Sequence, residues 1–252
     1  MSYGLRLSAA GALTSLHRQD VLANNLANVS TPGFKPETIA TRLRDPARVE
    51  DEVWHLPSNR LLERLGGGLL LAPTSVSLAQ GPILETGNPL DVAIEGEGFL
   101  LVRGDGGETR LTRDGRLTRN AEGILVHAAS GRPVLDEGER PITIREDGAV
   151  QIDRDGTVRI NGERHARLGV VMPEDLPGLR KEGDGLLREA GEGRVAGTGY
   201  VRQGAVEGSG VDPIRAMIDI GSATRDVAAN IAMIQQHDRL ADQAINRLGR
   251  VV

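Results

Sequence analysis

The last forty residues of the chain carry one unbroken helical rhythm. Met217, Ile220, Thr224, Val227, Ile231, Ile234, Asp238, Ala241, Ile245 and Leu248 follow one another at alternating spacings of three and four. That spacing puts them on one helix face, in the seam of a coiled coil. Only Thr224 and Asp238 interrupt the apolar line. The other faces carry Asp219, Arg225, Asp226, Asn230, Gln236, Arg239, Asp242 and Arg247. A helix from Pro213 to Gly249 is on the order of 55 Å long, far beyond the usual helix of a compact domain. Such a seam has to be buried against another helix, in this chain or in a neighbouring copy.

The N-terminus offers a partner. Leu5, Ala9, Ala12, Leu16, Ala23 and Leu26 keep the same spacing, with Gln19 filling one seam position. Ser2 is placed to cap the start. Asn28-Val29-Ser30-Thr31-Pro32-Gly33 sets helix-ending residues at the stop. An amphipathic helix at each end of one chain is most economically buried by pairing the two.

The middle has a different character. Residues 34–80 are irregular, with Gly66-Gly67-Gly68 and scattered prolines, and read as an extended connector with a short helix around Asn59 to Leu65. From 81 to 208 the signals are those of strands. Leu90 to Ile94 and Phe99 to Val102 are short and apolar. Turn pairs then recur at Asp114-Gly115, Glu122-Gly123, Ser130-Gly131, Asp147-Gly148, Asp155-Gly156 and Asn161-Gly162, which argues for antiparallel structure. Ala149 to Ile160 reads as a hairpin. The expected fold is therefore α+β. Residues 1–33 and 209–252 form paired, coiled-coil-like terminal helices, and 81–208 form a central antiparallel β-rich domain.

Composition narrows the chemistry. At 252 residues and 39% hydrophobic content a real core is possible, built from Leu, Val, Ile and Ala, because Tyr3, Phe34, Trp54, Phe99 and Tyr200 are the only aromatics. A net charge of −5 without a basic run weighs against nucleic acid as a partner. Cysteine is absent, which removes disulfides, thiol catalysis and cysteine-bound metals. No apolar run approaches the roughly 20 residues of a membrane span, so no membrane insertion is expected. The first twelve residues lack the pattern of a cleavable secretory signal.

Catalytic and metal-binding motifs are weak. His17, His55, His127, His165 and His237 show no metal-ligand spacing and read as surface or hairpin residues. Asp153-Arg154-Asp155-Gly156 fails as a calcium loop at both ends, with Gln151 at the first position and Gly162 at the twelfth. Gly96-Glu97-Gly98 and Gly104-Asp105-Gly106-Gly107 open no phosphate-binding helix and read as strand turns. Gly208-Ser209-Gly210 lacks the frame of a nucleophile elbow. The expectation is a protein that is not an enzyme and holds no cofactor or metal.

Three segments together carry a resemblance. Asn24-Asn25-Leu26-Ala27-Asn28-Val29-Ser30-Thr31-Pro32-Gly33-Phe34-Lys35 resembles the ANNLANxxTxGFK signature of the flagellar basal-body rod and hook protein family. Thr86-Gly87-Asn88-Pro89-Leu90-Asp91-Val92-Ala93-Ile94-Glu95-Gly96-Glu97-Gly98-Phe99 is similar to that family's TGNPLDxAIxGxGFF segment, and Thr112-Arg113-Asp114-Gly115 matches its TRDG. Gln203 to Pro213 resembles QGxLExSNV, which opens the C-terminal helix. Gly210 departs from the usual Asn, Leu100 from a common second Phe, and Thr224 to Asn230 from the usual RxYE-type stretch. The short stretch between the first two motifs leans to the proximal rod type, while TGNPLD and TRDG suit the distal type equally.

The resemblance implies a non-enzymatic subunit of the bacterial flagellar basal-body rod, the axial drive shaft. It implies terminal helices that pair and pack with copies of the chain and with other rod and hook proteins. It also implies a periplasmic location reached through the flagellar type III export apparatus, without a cleavable signal peptide. Two other readings stand beside it. One is a soluble β-rich binding module, for carbohydrate or protein, that its terminal helices merely dimerise. The other is an enzyme with a pocket in the β domain.

Overall fold

The structure is a computed structural model that describes residues 3–50, 52, 55, 57, 68–144, 148–191 and 193–248. Ser2, Asp147 and the short helix expected around Asn59 to Leu65 lie outside the described residues. The chain divides into two compact units. One comprises residues 1–26, 37–74 and 213–252; the other comprises 27–36 and 75–212.

The first unit holds the long helices. Helix α1 spans Tyr3–Ala27, a single turn α2 spans Ala47–Glu50, and α3 spans Pro213–Leu248. The 36 residues of α3 correspond to a rod of about 54 Å. Helices α1 and α3 pack antiparallel. A β-carbon at Gly4 would lie 2.6 Å from the His237 ring, and one at Gly11 would lie 2.8 Å from Asn230 Oδ1. Gln19 Nε2 donates to Thr224 Oγ1 at 3.3 Å. The contacts step one heptad along each helix, 4 and 11 against 237 and 230. Glycine at these rungs lets a polar side chain of α3 lie directly on the α1 backbone.

The pairing rows differ from the expected seam by one residue. On α3 the buried and half-buried stripe is Ala216, Ile220, Ala223, Val227, Asn230, Ile234 and His237. It shares Ile220, Val227 and Ile234 with the apolar line, but replaces Met217, Thr224, Ile231 and Asp238 by their preceding neighbours. On α1 the buried residues are Ser8, Ala12, Thr14, Val21 and Asn25. Small residues allow the close approach, so the bulkiest apolar side chains end up outside the pair. Residues 41–43 and 69–71 add a two-stranded ribbon, with Thr41 opposite Leu71 and Leu43 opposite Leu69. Strands of three residues so far apart in sequence leave no local pattern, which is why this stretch reads as irregular.

The second unit is antiparallel β structure. Its largest sheet has six strands in the order Arg180–Gly183, Leu186–Arg188, Thr109–Thr112, Phe99–Arg103, Val170–Pro173 and Arg194–Ala196. Val150–Ile152, Thr157–Ile160 and Glu163–Arg167 form a three-stranded meander. The expected hairpin is present, with Val150 opposite Ile160 and Ile152 opposite Val158. Asn161 and Gly162 close the next hairpin at φ of 53° and 86°, the double left-handed turn that the Asn-Gly pair favours. Val92–Glu95 pairs with Tyr200–Gln203, and Ile83–Glu85 with Ala205–Glu207.

Alternation along Phe99–Arg103 divides the core. Leu100 packs with Val92, Ile94, Leu125, Val158 and Leu168, whereas Phe99 and Leu101 pack with Leu111, Leu135, Leu179 and Leu187. Opposite faces of one strand thus feed two apolar clusters, which explains its nearly continuous apolar run. Asp114-Gly115 is not a hairpin turn. A β-carbon at Gly115 would meet Val92 O at 1.6 Å, so glycine is required by close backbone approach.

Candidate functional site

The three sequence motifs converge in the second unit. Lys35 from the first motif, Arg113 from TRDG and Glu207 from the third meet in a buried ion cluster. Glu207 Oε1 accepts from Lys35 Nζ at 2.7 Å and from the Gly81 amide at 2.8 Å, and Oε2 accepts from Arg113 Nη1 at 2.9 Å. The three side chains are at most 5% exposed. Lys35 also donates to Ala79 O at 2.8 Å. Arg113 donates to Ile94 O at 3.1 Å and Gly96 O at 2.6 Å, and its guanidinium lies 5.2 Å from the centroid of the Phe99 ring. Burial lowers the pKa of both cations, an effect that the Glu207 carboxylate opposes. Two cations share one carboxylate; backbone carbonyls accept from Lys35 Nζ and from both terminal nitrogens of Arg113, while the buried Arg113 Nε has no partner among the described residues.

Around the cluster the motifs interlock through the backbone. Gly33 N donates to Glu207 O at 2.7 Å and Gly210 N to Phe34 O at 3.0 Å. Gly33 has φ of +67°, and a β-carbon there would lie 2.2 Å from Asp114 N. Asn88 and Asp91 of the second motif bond to each other at 2.9 Å, while Gly96 and Gly98 turn at φ of 103° and 142°. In the first unit, Asn25 holds both backbone polar atoms of Glu37, donating to its O at 2.8 Å and accepting from its N at 3.0 Å. The motif residues therefore act as structural fasteners. Sequence pattern alone does not mark Lys35, Arg113 and Glu207 as site residues. For Lys35 and Glu207 the available signal is a lone charge between small or apolar neighbours, Phe34 and Pro36 or Val206 and Gly208; Arg113, beside Asp114, carries no such signal.

A second buried polar group adjoins Arg113. Asp114 bonds Arg116 Nη2 at 2.6 Å and lies 3.2 Å from His127 Nε2, while His127 Nδ1 is 2.8 Å from Ser130 Oγ. His127 is fully buried, so it belongs to the interior of the hairpin and not to its surface. Its ring nitrogens are arranged oppositely to a serine-protease triad, where Ser meets Nε2 and Asp meets Nδ1. For Asp114, burial alone would raise the pKa. Bonds from His127 and Arg116, with the Arg116 charge, outweigh that and hold it below the ordinary 3.8.

A folded-state pKa below the unfolded one gives stability that is present above pH 3.8 and lost as pH falls through the folded value. Denaturant midpoints are therefore expected to drop as pH is lowered from 5 to 3. Asp114→Asn should give a less stable unit whose midpoint depends less on pH in that window. An unchanged pH dependence would contradict this assignment.

The paired helices present the other notable surface. Of the residues expected to form the assembly interface, Ala12 is buried, and Leu5, Ala9, Leu26, Ile220, Val227 and Ile234 are half-buried. Leu16, Ala23, Met217, Ile231, Ala241 and Ile245 are exposed, and Leu248 closes α3. Further exposed apolar side chains on the same helices are Leu7, Leu13, Ile214, Ile218, Met233 and Leu240. The last eleven residues of α3 lie beyond the His237–Gly4 rung, and 238–246 are exposed throughout. Among the described residues no helix is long and apolar enough to cross a membrane, and no cluster of three or more His, Asp or Glu is arranged to hold a metal.

Comparison with known proteins matches three family models in order. Residues 7–35 match the flagella basal body rod protein model. Residues 93–160 match the D1 domain of the flagellar hook proteins FlgE/F/G, and 202–248 the C-terminal part of the basal body rod FlgEFG proteins. The chain is 36% identical to the flagellar basal-body rod protein FlgF of Caulobacter vibrioides over the whole of both chains. The chain belongs to the flagellar basal-body rod and hook protein family. FlgG of Agrobacterium fabrum is 29% identical over 94% of this chain and 96% of its own, and FlgF of Salmonella typhimurium is 29% identical over 94% and 95%. The first and third family segments each run from one unit into the other, and they contribute Lys35 and Glu207 to the ion cluster.

Proposed function

We propose that this rod-family chain is a structural subunit of the flagellar basal-body rod, and that it assembles through its terminal helices into the shaft that transmits torque. The observation that carries this reading is the row of large apolar side chains left outside the α1–α3 pair, with the exposed residues 238–246 beyond the His237–Gly4 rung. Apolar surface on this scale needs a partner, and copies of the chain and other rod and hook proteins supply helices of the same pattern. Interlocked seams resist shear because sliding them exposes about 25 cal/mol of apolar surface free energy per Å². The full-length match to the Caulobacter FlgF at 36% leans to the proximal type, while FlgF of Salmonella and FlgG of Agrobacterium match equally at 29%.

The same reading places the subunit in the periplasmic rod, delivered by the flagellar type III export apparatus through its N-terminal segment. Deleting Leu5 to Ser30 is expected to retain the protein in the cytoplasm, as measured by fractionating cells that still make a working export apparatus. Unchanged secretion of the deletion would refute the export assignment.

A further inference from the structure

We propose that residues 28–36 form a releasable strap, docked on the β unit by Lys35, which can leave while the β unit stays folded. The strap closes on itself. Thr31 N donates to Asn28 O at 3.1 Å, Phe34 N to Thr31 O at 3.3 Å, and Thr31 Oγ1 bonds Asn28 Oδ1 at 3.2 Å. Among the described residues, 28–36 carry no strand, and Phe34 belongs to neither apolar cluster of the core. Its ring instead lies 3.8 Å from the Lys181 ammonium. Backbone bonds to Glu207, Gly210 and Ser77, together with the Lys35 ammonium, hold the strap down.

The seat keeps its charge balance without the strap. Arg113 and Glu207 form a neutral pair, with Glu207 also accepting from Gly81 and Arg113 donating to Ile94 and Gly96. Lys35 brings a second buried cation without a second carboxylate, so its departure leaves a balanced pair and returns one cation to water. Burial depresses the Lys35 pKa, consistent with an ammonium seated at some cost. Such a segment sits at the low end of local opening free energies, below the core strands.

Hydrogen exchange on the full-length chain tests this, using Lys35→Met and Gly33→Ala as independent ways to unseat the strap. The first removes the second cation. The second drives a methyl toward the Asp114 amide at a position of positive φ. Both variants are expected to speed exchange at Ser77, Gly210 and the amide of position 33 at least tenfold, with Leu101 and Leu125 changing less than threefold. Retained protection of the strap amides in either variant, spread of lost protection to Leu101 and Leu125, or failure of either variant to fold would each overturn the proposal.

Discussion

Replacing Ile231 by Asp is expected to leave the isolated chain folded and to abolish rod assembly. Ile231 is 44% exposed on α3, outside the row that packs on α1. In the free subunit the change is a surface substitution, within about ±0.5 kcal/mol. In a rod where that face meets a neighbour, each copy would bury an unpaired carboxylate, at a cost of several kcal/mol. The cost repeats in every subunit, so the expected phenotype is a soluble chain with an ordinary melting curve and cells that do not swim. Asp242→Ala, on an exposed polar face, is the matched control and should be nearly silent. Normal swimming of cells carrying the Ile231 variant would end the account of a helix-seamed shaft. A β-domain binding module or an enzyme would keep its activity in both variants.

Glu207→Leu is expected to have the largest effect on the folded chain itself. It leaves Lys35 and Arg113 buried together without an anion and strips the Gly81 amide of its acceptor. Breaking a buried ion cluster in this way costs about 3–5 kcal/mol, a large part of the stability of a typical domain. Urea unfolding should show a midpoint shifted well down. Adding Lys35→Met and Arg113→Met to Glu207→Leu removes the orphaned charges and should recover much of the loss, because an apolar replacement of a whole buried ion group is often neutral. A triple variant no more stable than the single one would mean that the cluster stabilises by more than charge balance.

Much of this architecture was written in local pattern. The alternating run at 149–160 and the Asn161-Gly162 turn specify a hairpin without any long-range information. The 3–4 rhythm after Pro213 specifies α3. The facing of the helices was less legible. Apolar periodicity places the largest hydrophobic residues toward the partner, whereas α1 offers Gly4, Ser8, Gly11 and Ala12 for close approach. The pairing row thus moves one residue, onto Ala216, Ala223, Asn230 and His237, and Met217 and Ile231 turn outward. The ion cluster escaped for a different reason. Lys35, Arg113 and Glu207 are far apart in sequence, and each charge reads as a surface residue until its partners are in place. His127 was hidden in the same way, because its burial depends on Asp114 and Ser130 closing around the ring.

The central claim is that the outward apolar face of the helix pair is covered by neighbouring subunits in the rod. The chain has no cysteine, so a single thiol introduced as Ile231→Cys reports on that position alone, provided the variant still supports swimming. The measurement is the rate of reaction with a soluble maleimide in the purified monomer and in isolated basal bodies. The account predicts ready labelling of the monomer and at least tenfold slower labelling in the assembled rod. Equal rates in the two states would place Ile231 on an uncovered surface and contradict assembly through this face.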